Sequence, residues 1–441
     1  MRGAVLICLL RTACGAADPL DAVLAKARIT LNGTFNAGGS YADVWARDTA
    51  TFIAIAAEVN PPAVCEKVLL GFFRWQNMDG ELPGGYSPSK PTTPSHGTAP
   101  FPACLGGTPV CKNNAETDQE SSVVQATRRY YDSVGPVIGL PFLKTVVDGV
   151  SVLGRLELAL DWLILKRLDA STGLLWGATT LDWGDVQPQK NVADIRLLGP
   201  NSHLAIDVYD NAMFVGAIAD FLHLCNATKF VPERNWSAIG ASTAAAARTH
   251  LWNTTAQKFI PHLYFKEGAL PANGAGYKAG SPFPADFDEG PLYYHGGTAQ
   301  AALAGLMSKE ELSAALATMN ANVAKAGGKM TVGLTIYPPY QNDPTMPAWT
   351  YQNGGDWAWF GGRVVQALVK NSLLGEARAT IAPMATRVLA HSTPGAAGFY
   401  EWWGKDGSPQ GSNNFHGSAG VLGAAIKDLQ RAEAGGKASV R

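Results

Sequence analysis

The feature that most constrains this chain is a rhythm: helical periodicity runs along almost its whole length, and a long loop follows every second helix. Apolar residues recur at helical spacing near 19–28, 48–59, 62–75, 118–131, 141–168, 207–225, 232–251, 297–305, 308–323, 356–370, 373–390 and 415–433, while strand alternation is scarce. The stretch 141–168 is long enough for two helices broken around residues 149–154. Ser308 ahead of Lys309-Glu310-Glu311 predicts an N-cap with acids in the first turn. The loops at 76–117, 170–206, 254–296, 324–355 and 391–414 are rich in Gly, Pro, Trp and Asn. Loops of this length inside a compact domain are usually functional. Helix pairs with short turns at one end and long loops at the other close into two concentric rings, the long loops lining one mouth. No break in composition marks a second unit, so one domain is expected over residues 18–441.

With 46% hydrophobic and 16% charged residues and a net charge of −1, the chain is globular and has no basic footprint for nucleic acid. No segment after the leader approaches the ~20 apolar residues of a membrane span. Met1-Arg2, an apolar run to Leu10 and the small residues around Ala13 to Ala17 predict a signal peptide over 1–17, and hence a secreted or secretory-lumen protein. Asn-x-Ser/Thr sequons at Asn32, Asn226, Asn235 and Asn253 agree with a glycoprotein. Removal of Cys8 and Cys14 leaves four cysteines. Cys104 and Cys111 bracket a Gly/Pro-rich loop and are placed to close a small disulfide ring, with Cys65 and Cys225 left as a pair or as buried thiols.

Four clusters in the long loops set acids beside aromatic residues. Trp45-Ala46-Arg47-Asp48 enters a helix, where Asp48 serves either as an N-cap or, with Arg47 and Trp45, as a clamp on sugar hydroxyls. Leu181-Asp182-Trp183-Gly184-Asp185 puts two acids around a Trp. Tyr351-Gln352-Asn353-Gly354-Gly355-Asp356-Trp357-Ala358-Trp359 combines turn chemistry with packed aromatics. Phe399-Tyr400-Glu401-Trp402-Trp403 surrounds a Glu with rings, a setting that desolvates and perturbs a carboxyl. Asp118 and Glu120 sit at a helix start, where capping is the expected role. Paired carboxylic acids among aromatic platforms suit glycoside hydrolysis, in which one acid protonates the leaving oxygen and the other activates water or attacks the sugar.

The order of these clusters resembles the six-hairpin glycosidases, the superfamily of neutral/alkaline invertases, trehalases, glucoamylases and debranching glucosidases. The pattern is most similar to the neutral/alkaline invertases. Val44-Trp45-Ala46-Arg47-Asp48 resembles that family's Val-Arg-Asp-Phe, Leu181-Asp182 its Ile-Asp, Tyr351-Gln352-Asn353-Gly354-Gly355 its Tyr-His-Asn-Gly-Gly, and Tyr400-Glu401-Trp402-Trp403 with Asp406-Gly407 its Pro-Glu-Tyr-Tyr-Asp-Gly. The sequence departs from the family at Gln352, where invertases carry His, and at Trp183-Gly184-Asp185, where they carry Arg-Arg. The resemblance implies an all-α (α/α)6 barrel, a six-hairpin toroid. It implies an inverting hydrolase of an α-glucoside or related small saccharide. It makes Asp182 the general acid and Glu401 the base, with Asp185 competing for the acid's place. Substrate contacts are expected from Trp45, Arg47, Asp48, Trp183, Tyr351, Gln352, Asn353, Asp356, Trp357, Tyr400 and Trp402.

Two other readings fit the same barrel. One is a sugar epimerase or lyase using Tyr293-Tyr294-His295 as a proton shuttle. The other is a carbohydrate-binding protein without catalysis. His-Glu-x-x-His, Cys-x-x-Cys, Gly-x-Ser-x-Gly and phosphate-loop motifs are absent from the sequence, so no metal or cofactor is expected. His203, His295 and His416 are scattered and read as hydrogen-bonding or sugar-contacting residues.

Overall fold

A computed structural model describes residues 18–435 apart from 90–96, 98–99, 105–107, 190 and 344. The expected leader, 1–17, lies outside the described residues. Thirteen α-helices are found among the described residues: α1 (Pro19–Thr30), α2 (Ala46–Val59), α3 (Pro62–Trp75), α4 (Gln119–Val134), α5 (Pro136–Lys144), α6 (Val152–Arg167), α7 (Val208–Thr228), α8 (Trp236–Leu251), α9 (His295–Leu303), α10 (Lys309–Ala326), α11 (Ala358–Lys370), α12 (Leu374–Ala390) and α13 (His416–Glu433). The remaining regular structure is two- and three-stranded β-ribbons in the loops.

Local chemistry explains most of the helix starts. Ser308 and Glu311 form a reciprocal capping box at α10. Asp18, Ser151, Asp207 and Asn235 accept N–H groups at the starts of α1, α6, α7 and α8. Pro62 opens α3 and Pro136 opens α5, where a missing N–H costs nothing. The stretch 141–168 does break, through a tight hairpin pairing Val146–Val147 with Val150–Ser151.

Helices α2, α4, α7, α9, α11 and α13 touch in that order, and α13 returns to α2, closing a ring. Helices α1, α3, α6, α8, α10 and α12 pack outside it, with α5 added between α4 and α6. The chain is therefore an (α/α)6 barrel. Outer helices bury one stripe; α12 hides Ala377, Thr380, Ile381, Met384, Ala385 and Val388 at three- and four-residue steps. Inner helices bury nearly every face, as α9 does from His295 to Ala302. Small residues let inner helices approach: a Cβ on Gly420 would lie 2.3 Å from Phe52 Cα and 2.7 Å from Thr51 O. Each inner helix is entered from an outer one, so all six run parallel, and their N-termini share one mouth. The long loops all lead into those N-termini. No helix among the described residues is long and apolar enough to cross a membrane.

The Cys104–Cys111 bridge is present, with Cα atoms 4.9 Å apart. It fastens the loop before α4 to a ribbon, Val44–Trp45 with Gly85–Tyr86 and Val110–Cys111, at the mouth. Cys65 and Cys225 are buried thiols.

Closure of the ring at α2 and α13 can be tested with one methyl group. Gly420→Ala is predicted to destabilise the fold by about 1–3 kcal/mol in urea unfolding, because it meets backbone that cannot give way. Gly375→Ala, where a Cβ meets nothing within 4 Å, should change stability by under about 0.5 kcal/mol.

Candidate active site

At the mouth lies a cavity of about 310 Å³. Trp45, Arg47 and Asp48 reach it from the first turn of α2, and Glu116 and Gln119 from the start of α4. Trp183 and Asp185 come from the loop before α7, and Tyr351, Trp357 and Trp359 from the entry to α11. Glu401 and Phe415 complete the wall ahead of α13.

Glu401 sits on an antiparallel hairpin, Tyr400–Trp403 against Pro409–Asn413, with an irregularity in register between Tyr400 and Trp402. Its Oε1 accepts the Tyr41 hydroxyl at 2.9 Å and its Oε2 accepts the Ser412 N–H at 2.9 Å. Burial is the larger effect and raises the carboxyl above its ordinary range, against those two donors. Gly411, at φ 68°, lets the hairpin close over this acid, since a Cβ there would stand 2.5 Å from Glu401 Oε2.

Asp185 accepts a hydrogen bond from Gln352 Nε2 at 2.5 Å. Asp185 and Glu401 face the same cavity and repel each other's charge. Asp48 lies in the first turn of α2, whose cap position belongs to Trp45. Burial, and then the charges of Glu401 and Asp185, push its carboxyl up to about 7 against the pull of Arg47. Arg47 is held from behind: its Nε and Nη2 donate to Asp118 at 2.7 and 3.1 Å, it pairs with Glu116, and it lies 4.9 Å over the Trp183 ring. Tyr209 donates to the same Asp118 at 3.1 Å. The expected capping role of Asp118 and Glu120 therefore gives way to ion pairing: Asp118 makes no side-chain cap bond, and Glu120 accepts Lys112 Nζ at 2.6 Å and Leu82 N–H at 3.0 Å.

Trp183 stacks on Trp359 at 5.7 Å and meets Trp357 edge-on at 5.0 Å, giving the cavity an aromatic floor. The indole N–H groups of Trp45, Trp183 and Trp359 and the Oδ1 of Asp48 are buried and have no protein partner. All four residues line this cavity. Buried polar atoms are almost always satisfied, so a cluster of three donors and an acceptor around one cavity fits a ligand bearing several hydroxyls.

Of the residues expected from sequence, the structure gathers Trp45, Arg47, Asp48, Trp183, Asp185, Tyr351, Trp357 and Glu401 around the cavity, with Gln352 behind Asp185. Others stand elsewhere. Asp182 is buried and absent from the cavity wall; its two oxygens accept the N–H groups of Gly296 and Gly297 at 2.7 Å each, capping α9 from a distant loop. Asp356 is clasped by Arg387 at 2.8 and 3.0 Å and by Thr331, inside the protein. Asn353 holds the backbone of Tyr340 and Met346. Tyr400 and Trp402 belong to the hairpin that carries Glu401 but do not line the cavity. Tyr294 bonds Tyr340, and His295 faces Val332 O and Asn322, so the Tyr-Tyr-His triplet lies outside the cavity. Sequence reasoning missed Tyr41, Phe415 and Arg196, which all line the wall, and it placed Trp359 in the third aromatic cluster without counting it among the substrate contacts. Tyr41 carries no local signal.

No protein-family profile and no curated protein sequence matches the chain. Solved structures do. The GH63 mannosylglycerate hydrolase of Thermus thermophilus, in complex with glucose, is 15% identical, with a TM-score of 0.61 over 93% of this chain and 98% of that one. A rhamnosidase from Klebsiella oxytoca with rhamnose bound is 12% identical, with a TM-score of 0.54 over 94% of this chain and 64% of that one. The GH78 rhamnosidase of a Bacillus species is 14% identical, with a TM-score of 0.55 over 92% of this chain and 34% of that one. The chain shares the barrel of these glycosidases. The resemblance to invertases rests on the sequence motifs alone.

The buried contacts predict two effects. Asp182→Asn should lower unfolding free energy by about 1–3 kcal/mol, because it replaces one accepting oxygen with an NH2 donor that faces a buried N–H. Gly411→Ala should lower kcat more than it lowers thermal stability, by shifting Glu401; equal activity of this variant would show that the close approach is unimportant.

Proposed function

We propose that the chain is a glycoside hydrolase of a small saccharide, working by inversion with Asp185 as general acid and Glu401 as general base. The observation that carries this is the pair of carboxylates opening on one aromatic cavity whose buried indole N–H groups and Asp48 oxygen lack protein partners. Asp185 gives its proton to the glycosidic oxygen as the bond to the anomeric carbon breaks. Glu401 takes a proton from a water that attacks that carbon from the opposite face. Asp48, Trp45 and Trp183 hold sugar hydroxyls, and Arg47 keeps Asp48 in place by charge. The cavity volume falls at the small end of the ~300–1,000 Å³ typical of small-molecule sites, which suits a short saccharide. The glucose and rhamnose complexes of structures with this fold support a sugar ring as the occupant. Asp182 is assigned to capping α9, a role its two N–H partners already fill.

Three measurements test the assignment. Asp185→Asn and Glu401→Gln should each lower kcat by roughly 10²–10⁴-fold with the circular-dichroism spectrum unchanged, while Asp182→Asn keeps most activity. Loss of activity in Asp182→Asn at full folding, with Asp185→Asn active, would reverse the two roles. NMR of early product should show the anomer opposite to the substrate's; retention would remove the inverting mechanism.

The pH profile follows from the burial of Glu401. A base must be ionised, so kcat/KM should fall as acidification passes through its raised pKa, placing the acidic limb above the usual carboxylate range. Tyr41→Phe removes a donor that favours the ionised form and should move that limb to still higher pH. A limb left in place would separate Tyr41 from the base.

We also propose passage through the secretory pathway. The Cys104–Cys111 bridge supports it, as do the exposed positions of Asn32, Asn226, Asn235 and Asn253. Mass spectrometry of protein from its natural source should find glycan on these asparagines; unmodified residues and reduced cysteines would contradict it.

A further inference from the structure

A second cavity, of about 470 Å³, lies on the barrel axis at the end opposite the mouth, and its wall draws residues from all six inner helices. Its chemistry is unlike that of the mouth. Six cations line it: Arg128 and Arg129 from α4, Arg363 and Lys370 from α11, and Lys427 and Arg431 from α13. Among the described residues, three carboxylates face them, Asp132, Asp220 and Asp428.

The partners of these groups leave guanidinium donors unused. Arg128 spends Nε on Asp132 at 2.8 Å and places Nη1 3.7 Å from Asp220, yet its Nη2 is buried without a partner. Arg363 is 1% exposed; its Nη1 donates to Gln300 at 2.9 Å, and its Nη2 also lacks a partner. Arg129 reaches the Ala50 carbonyl and, at 3.2 Å, the Gln125 carbonyl oxygen. Burial and then the charge of Arg363 lower its pKa to about 10, against the pull of Asp220 and Asp428. Buried cations without counter-charges are costly, and a helix barrel has apolar ways to fill its axis. The cavity reaches solvent past Asp132, Ala219, Lys370 and Arg431, which are exposed at its rim.

We propose that this axial cavity binds a small oxyanion of the phosphate or sulfate class, held by the free guanidinium donors of Arg128 and Arg363 beside Arg129. Forked guanidinium groups match the spaced oxygens of an oxyanion better than they match a spherical halide. The anion bridges α4 and α11 across the barrel and fastens the end where the inner helices have no long loops. The site is independent of the catalytic reading. Trp359 and Phe360 stand between the two cavities, with Arg363 lying 5.3 and 5.8 Å from their ring centres.

Calorimetric titration of the whole protein with inorganic phosphate, and with sodium chloride at matched ionic strength, tests this. Phosphate should bind saturably and raise Tm, and chloride should do neither. Arg128→Met and Arg363→Met should each weaken phosphate by about tenfold or more, while Glu401→Gln leaves its affinity unchanged, which separates this site from the mouth. Should the arginine variants fail to fold, a selenate-soaked crystal of the wild type decides. An anomalous peak between Arg128 and Arg363 supports the site. Its absence there, an equal Tm shift from chloride, or phosphate affinity lost in Glu401→Gln would overturn it.

Discussion

The contact between α13 and α2 shuts the inner ring, and the mouth depends on that closure. Once the ring is shut, six parallel helices aim their N-termini at one space, each carrying about half a positive charge at its open end. Carboxylates can gather there at a density that the barrel wall would not otherwise tolerate. The gathering is not free of strain. Asp48 and Glu401 remain harder to ionise than ordinary carboxyls, so burial outweighs the dipoles and the nearby donors for both.

The acids divide by the direction in which they are bonded. Asp182, Asp356 and Asp118 have both oxygens taken by backbone N–H groups, Arg387 and Arg47, and they hold loops in place. Asp356 also exchanges backbone bonds with Trp403, which ties the hairpin carrying Glu401 to the entry of α11. Asp48 keeps a buried oxygen with no partner, and Glu401 has one face toward the cavity.

The helices were legible because each carries its own periodicity and several carry a cap or an opening Pro: 62–75 is expected and Pro62–Trp75 is found. The clusters were legible as clusters, since Trp45, Asp48, Trp183, Asp185, Tyr351 and Glu401 do converge. Their inner division was not. Asp182 and Asp185 differ by three positions and by a left-handed backbone at Asp182, φ 57°, that turns its carboxylate toward α9. Nothing local announces which of two acids around a Trp will meet two glycine amides from residues more than a hundred positions away. Asp356 and Asn353 misled for the same reason, because a turn-forming polar residue looks alike whether it faces a ligand or a backbone.

The bond between Tyr41 and Glu401 spans 360 positions of sequence. Synthesis delivers Glu401 360 residues after Tyr41, so the acid meets its phenolic partner only after five of the six inner helices have emerged. Until then the flank of α2 that α13 will cover, around Phe52, stays wet and apolar, a surface for chaperones rather than for substrate. A chain that stops short of Tyr400 lacks both the ring's final stave and the acid that accepts the Tyr41 hydroxyl. The architecture therefore ties formation of the pocket to completion of the barrel.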